Sequence, residues 1–149
     1  MEADSIILYI FLQLRRKGDQ SLVVIDAEDT DVVVLTAYVA HTTDGILGIR
    51  RKKMVVDGRK LCPQEVAKVL VPLHFFTGAD SVSGFFCHGK ITICKNDMES
   101  VVTQAMLSTL GTCVPVTSNT IESMEMFTIR YIYNDHISKN LAEARANKW

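Results

Sequence analysis

The 149-residue chain lacks a charge bias: 16 basic residues meet 17 acidic ones, for a net charge of -1. That balance excludes the bulk basic field that attracts nucleic acid at long range. Such a partner has to be held by local patches or through metal ions. Cysteines are few (Cys62, Cys87, Cys94 and Cys113), and no two form a C-x-x-C pair. A disulfide framework is therefore not expected, and a reducing intracellular compartment is. Cys87, His88 and Cys94 lie close together, but their spacing is not that of a zinc site, and ordinary buried thiols account for them. Long apolar runs are missing too. The strongest, Ser5 to Leu14, stops at Arg15-Arg16-Lys17, too short to span a bilayer. Glu2 and Asp4 precede it, where a signal peptide carries positive charge. No membrane or targeting segment is expected, and no internal repeat, low-complexity tract or linker interrupts the chain.

What is present is a globular composition, 48% hydrophobic and 22% charged, sufficient for a domain with a real core. Ala3 to Lys17 reads as a helix closed by Gly18, with basic residues at its C-terminal end. Ser21 to Ile25 reads as a buried strand. Asp29 or Thr30 then caps a helix, against the β-branched run Val32-Val33-Val34. Gly45 to Leu61 reads as two extended segments with a tight turn at Asp57-Gly58. Pro63 suits the first position of a helix from Gln64 to Thr77, closed by Gly78 and kinked at Pro72. Further helices are expected over Asp97 to Leu110, from a capping box at Asn119 and Glu122 to about Tyr133, and over Ile137 to Ala146. The expected class is α/β in the first half and helical in the second.

Between the apolar runs Val23-Val24-Ile25 and Val32-Val33-Val34-Leu35 stand four acids: Asp26, Glu28, Asp29 and Asp31. Two carboxylates ~5 Å apart repel by roughly 3 kcal/mol at an effective dielectric near 20. Protonation, basic neighbours or a hard metal ion relieves such repulsion. Two further acid groups fall at element boundaries: Glu2 and Asp4 open the first helix, and Asp80 follows a helix end. Ligands gather at the carboxyl ends of strands in an α/β sheet. If the three groups converge there, Mg²⁺ or Mn²⁺ is the fitting counter-charge, and the site suits two-metal phosphodiester hydrolysis.

Glu2-Ala3-Asp4, Glu28-Asp29-Thr30-Asp31 and Gly78-Ala79-Asp80 resemble the acid pattern of the PIN-like nuclease superfamily. More narrowly, they are similar to the internal nuclease region of flap-endonuclease (XPG-type) enzymes. The phrases Leu73-His74-Phe75-Phe76-Thr77-Gly78-Ala79-Asp80 and Ser83-Gly84-Phe85-Phe86-Cys87-His88-Gly89-Lys90 resemble a mobile-element-associated branch of it. The resemblance covers Met1 to about Lys90 and extends more weakly beyond.

It implies a three-layer α/β/α fold with a mostly parallel sheet. The nuclease region would cover residues 1–95, with a helical extension over 96–149 packed on it as one structural unit. It implies Glu2, Asp4, Asp29, Asp31 and Asp80 as metal ligands for Mg²⁺ or Mn²⁺, with Asp29, Asp31 and Asp80 as the catalytic acids. Lys90 lies where the family holds the nucleic-acid backbone. Asp26 has no counterpart in that pattern and reads as a solvated strand-end acid. His74 reads as a structural histidine near the site. The basic run Arg50-Arg51-Lys52-Lys53 is either a solvated sheet edge or a phosphate-contacting surface, and Arg50 and Arg51 are its nucleic-acid candidates.

The implied partner is DNA or RNA, and the implied location is intracellular, nuclear rather than cytoplasmic. The chain departs from the pattern at its start. The family's first strand, with another essential aspartate, and the following helical arch have no counterpart here. The expectation is a truncated form or a second polypeptide that supplies the missing central strand. The alternative to a nuclease is an inactive remnant acting as a nucleic-acid or protein interaction module.

Overall fold

The computed structural model describes residues 3–79 (3 and 4 in backbone only), 84–85, 100–112 and 114–148. It is an α/β structure with two compact units, Met1–Val71 and Pro72–Trp149. The first holds α1 (Ala3–Arg16), β1 (Val23–Asp26), α2 (Thr30–Thr42), β2 (Leu47–Arg51), β3 (Met54–Asp57), a 3₁₀ turn (Gly58–Lys60) and the start of α3 (Gln64–Phe76). The second holds the end of α3, then α4 (Val101–Leu107), α5 (Ser118–Phe127), a π-helical turn (Thr128–Ile132) and α6 (Leu141–Lys148). Among the described residues no helix is long and apolar enough to cross a membrane.

The helix α1 ends as its sequence predicts. Gly18 takes φ +81°, and the Gly18 and Asp19 N–H groups return to the carbonyls of Arg15 and Leu14, at 3.0 and 3.1 Å. This satisfies carbonyls the helix leaves open. The Arg15 guanidinium donates to Ser21 O at 2.7 Å and Ile46 O at 3.2 Å, and also to Asp19 O. It thereby ties the helix end to the approaches of β1 and β2.

The sheet has the order β1-β2-β3 among the described residues. β1 and β2 are parallel, with Val23 opposite Leu47 and Asp26 opposite Arg50, and β2 and β3 are antiparallel. Among the described residues it is thus a mixed sheet, not a mostly parallel one. The parallel pair needs a crossover, and α2 is that crossover. Its valine run is helical despite the propensity cost because burial decides. Val32, Val34 and Val39 are buried, and Val32 and Val39 pack in one cluster with Leu8, Phe11, Ile25, Leu47 and Ile49. Each fully buried side chain of this kind stabilises by about 1.5–3 kcal/mol, more than a few tenths lost per β-branched residue.

The tight turn is displaced from its expected place. The hairpin reverses at Lys52-Lys53, between the paired residues Arg51 and Met54. Asp57-Gly58 instead starts the 3₁₀ turn, where the Asp57 carboxylate accepts the Arg59 N–H at 2.9 Å. A Cβ on Gly58 would stand 2.7 Å from the Ala40 Cβ and 3.0 Å from the Leu47 carbonyl oxygen, so this turn lies directly against α2. Arg59 secures it, donating to Ala40 O at 2.9 Å, Gly45 O at 3.0 Å and Thr43 O at 3.3 Å.

In the second unit Phe127 is fully buried and meets Phe76 edge-to-face, with ring centres 5.8 Å apart. Thr117, not Asn119, caps α5: its hydroxyl accepts the Thr120 N–H at 3.2 Å. The last helix starts four residues later than expected. The Asp135 carboxylate accepts the N–H groups of Ile137 and Ser138, holding that stretch in a turn. Asn140 then caps α6 by accepting the Glu143 N–H at 2.9 Å.

Candidate metal site at the end of the first strand

β1 runs into the acid turn. Asp26 is its last residue, Ala27 and Glu28 follow, and Asp29 stands at the N-cap of α2 with extended backbone angles. The Asp29 Oδ1 accepts the Asp31 N–H at 3.0 Å, and the Asp29 carbonyl accepts from Val33 at 3.1 Å. Asp29 is exposed, and Asp31, in the first turn of the helix, is half-buried. Both carboxylates therefore sit at the positive end of the helix dipole, which favours anions by about 0.3–1 kcal/mol each.

The fold relieves the crowding of acids in two ways. The helix N-terminus serves Asp29 and Asp31. Asp26 is served by Arg50, its neighbour in the parallel register, whose Nε lies 3.2 Å from Oδ2. Both partners are about half exposed or more, 49% for Arg50 and 75% for Asp26, so the pair contributes on the order of 0–1 kcal/mol. Asp26 is thus an ion-paired strand-end acid, and its carboxylate engages Arg50.

Of the five predicted metal ligands, the described structure brings two together, Asp29 and Asp31. Asp4 lies in the first turn of α1, with only its backbone described, and Glu2 and Asp80 lie outside the described residues, as does Lys90. Among the described residues no group of three or more His, Cys, Asp or Glu side chains is placed to hold a metal ion. Asp29 and Asp31 supply hard carboxylate oxygens, the donor type that Mg²⁺ and Mn²⁺ take. His74 is buried on α3, edge-to-face with the Phe75 ring at 5.8 Å between centres.

Arg51, Lys52 and Lys53 are exposed on the β2–β3 hairpin. Because β1 and β2 are parallel and Asp26 is opposite Arg50, the hairpin turn and the acid turn emerge at the same end of the sheet. No sequence signal carries that proximity, since it depends on strand register.

A second feature has no counterpart in the sequence reading. A cavity of about 360 Å³ is lined by Tyr133, Asn134, Asp135, His136, Ile137, Ala144, Asn147 and Lys148. Asp135 is the acid among these lining residues. Hydrogen bonds from the Ser138 hydroxyl at 2.5 Å, and from the Ser138 and Ile137 N–H groups, hold its pKa at about 2. The Asn-Asp-His sequence at 134–136 is the turn signal that marks this stretch.

Comparison of the chain with known protein families, with curated proteins and with solved structures found no match.

Proposed function

We propose that the chain is a nuclease-like domain of the PIN-like α/β/α type, hydrolysing phosphodiester bonds of DNA or RNA. In this reading Asp29 and Asp31, joined by Glu2, Asp4 and Asp80, hold Mg²⁺ or Mn²⁺. The observation that carries it is the position of Asp29 and Asp31. They stand where a strand of a parallel pair passes into its crossover helix, the place where α/β sheets bind ligands.

The two residues divide the work. The hydrogen bond from Asp31 N–H engages Oδ1 of the Asp29 carboxylate, and Oδ2 would be the oxygen offered to an ion. Asp31 follows on the first helical turn, so both acids ride on a rigid element and not on a loose loop. Bound divalent ions would supply an activated water and charge stabilisation of the leaving oxygen. Arg51 on the neighbouring hairpin offers a cation for the phosphate backbone. Arg50 could do the same only by leaving Asp26.

The test is cleavage of single-stranded and branched substrates with Mn²⁺, comparing the parent chain with Asp31→Ala. The reading expects Mn²⁺-dependent cleavage by the parent and a loss of 100-fold or so in the variant, on the order of one essential electrostatic contact. Equal activity in both overturns it.

One observation favours a second reading, that of an inactive interaction module. Asp26 and Asp29 each do structural work, as ion-pair partner and as helix cap. Absence of Mn²⁺-dependent cleavage together with retained nucleic-acid binding selects this second reading.

A further inference from the structure

The helix α1 is apolar on both of its faces. Leu8 and Phe11 are buried in the core of the first unit, and Ile7 and Leu12 pack partly against it. The opposite face carries Ile6, Tyr9 and Ile10, which are 41%, 52% and 54% exposed. They stand at i, i+3 and i+4, so they are neighbours on one side of the helix. A surface helix ordinarily turns polar residues to solvent. Large apolar side chains gathered on an exposed face, with charge at its rim, mark a contact surface.

The charges along the face choose its partner. Gln13 continues it, and Lys17 follows one turn later, its N–H bonded to the Gln13 carbonyl at 3.2 Å. Arg16 and Lys17 are exposed, and neither takes part in an ion pair among the described residues. In the sequence, Glu2 precedes Ile6 by the same four-residue step that separates Gln13 from Lys17. The pattern Glu2, Ile6, Tyr9, Gln13, Lys17 therefore has an acid first, a cation last and apolar residues between them. Such a pattern is its own complement when reversed. In an antiparallel pair centred between Tyr9 and Ile10, Tyr9 meets Ile10, Ile6 meets Gln13 and Glu2 meets Lys17. A parallel pair would instead set Glu2 on Glu2 and Lys17 on Lys17. Antiparallel helix dipoles also attract, since each positive end meets a negative one. A surface that complements itself gives a closed two-fold contact.

We infer that the Ile6-Tyr9-Ile10 face of α1 docks on the same face of a second copy of this chain, with the two helices antiparallel. One helix pair is a small contact, below the roughly 1,200 Å² of total area that stable interfaces bury, so the dimer is a weak one. The contact uses no metal ion and no acid of the proposed hydrolytic site, so it stands or falls apart from that function.

The experiment is sedimentation equilibrium of the full chain at concentrations from about 1 μM to 1 mM, the range of weak association. The parent shows a monomer–dimer equilibrium. Ile10→Lys weakens it by about tenfold or more, the effect of losing one well-placed apolar contact. Ile121→Lys, which changes a similarly exposed isoleucine of the second unit, associates as the parent does. Glu2→Lys and Lys17→Glu decide the orientation. Each alone associates several-fold more weakly than the parent, because like charges meet across the pair. An equimolar mixture of the two regains the parental affinity, because every cation then faces an acid. The mixture leaves the apolar residues intact, so it tests the contact even where Ile10→Lys perturbs the helix. Circular dichroism melts of each variant separate folding from association.

A parent that stays monomeric throughout overturns the inference and leaves the face to another partner or to the chain's own second unit. Undiminished association by a folded Ile10→Lys also overturns it, as does an equal loss in Ile121→Lys. A mixture of the charge variants that associates no more tightly than its components rejects the antiparallel pairing.

Discussion

The Asp29 carboxylate accepts the backbone N–H of Asp31 at 3.0 Å, so one of the two acids that open the second helix holds the carboxylate of the other. The same bond starts α2 and restrains Asp29. Structural and functional uses of Asp29 can be separated because asparagine caps a helix as well as aspartate does. Asp29→Ala is expected to destabilise the chain by about 1 kcal/mol, and Asp29→Asn by much less. Urea denaturation followed by circular dichroism measures both. Equal losses would show that the cap bond contributes little.

Arg59 binds three carbonyl oxygens, from Ala40, Thr43 and Gly45, at the far end of the same helix. The fork geometry of a guanidinium makes these bonds possible, and an ammonium cannot reproduce it. Arg59→Ala is expected to cost about 1–2 kcal/mol, within the range for charged hydrogen bonds at a half-exposed site. Arg59→Lys should recover little of it. Full recovery in the lysine variant would reduce the interaction to charge alone.

Gly58 leaves no room for a side chain beside Ala40 and the Leu47 carbonyl. Gly58→Ala is expected to destabilise by about 1–3 kcal/mol, through displacement of the 3₁₀ turn from α2. Thermal melts of the variant check it, and an unchanged melting temperature would mean that the turn shifts freely.

Asp135 carries the pH prediction. Its folded pKa of about 2 lies below its ordinary 3.8, so the folded state binds its proton more weakly. The stability this contributes is fully present above pH 3.8 and is lost as pH falls through about 2. A carbon-detected NMR titration should place the Asp135 midpoint near 2, and Ser138→Ala should raise it, since the Ser138 hydroxyl is the largest cause. A parent midpoint near 3.8 would contradict the hydrogen-bond geometry.

Most of the local structure of the first unit was legible in the sequence, and the reasons are local. Gly18 after a basic helix end, Asp29 before an apolar run and Pro63 before Gln64 each signal a boundary through one residue's own chemistry. The misplaced elements depend on partners remote in space or on competing caps. Asp57-Gly58 has hairpin chemistry, but the fit of Gly58 against Ala40 turns it into a 3₁₀ turn. Asn119 has capping chemistry, but Thr117 reaches the Thr120 N–H first.

The candidate site was legible as residue types and not as a constellation. Asp29 and Asp31 were identifiable because strand-to-helix transitions leave a local pattern. The Asp26–Arg50 pair and the position of the basic hairpin beside the acid turn follow from the parallel register of β1 and β2, which no single segment encodes.

Calorimetric titration of the full chain with Mn²⁺ measures divalent-ion binding by Asp29 and Asp31 itself. Saturable Mn²⁺ binding is expected of the parent, and at least tenfold weaker binding of Asp29→Asn, with the fold unchanged by circular dichroism. That result would separate the charge of Asp29 from its role as a cap. Absence of Mn²⁺ binding by the parent, or the same affinity in parent, Asp29→Asn and Asp31→Ala, would contradict it.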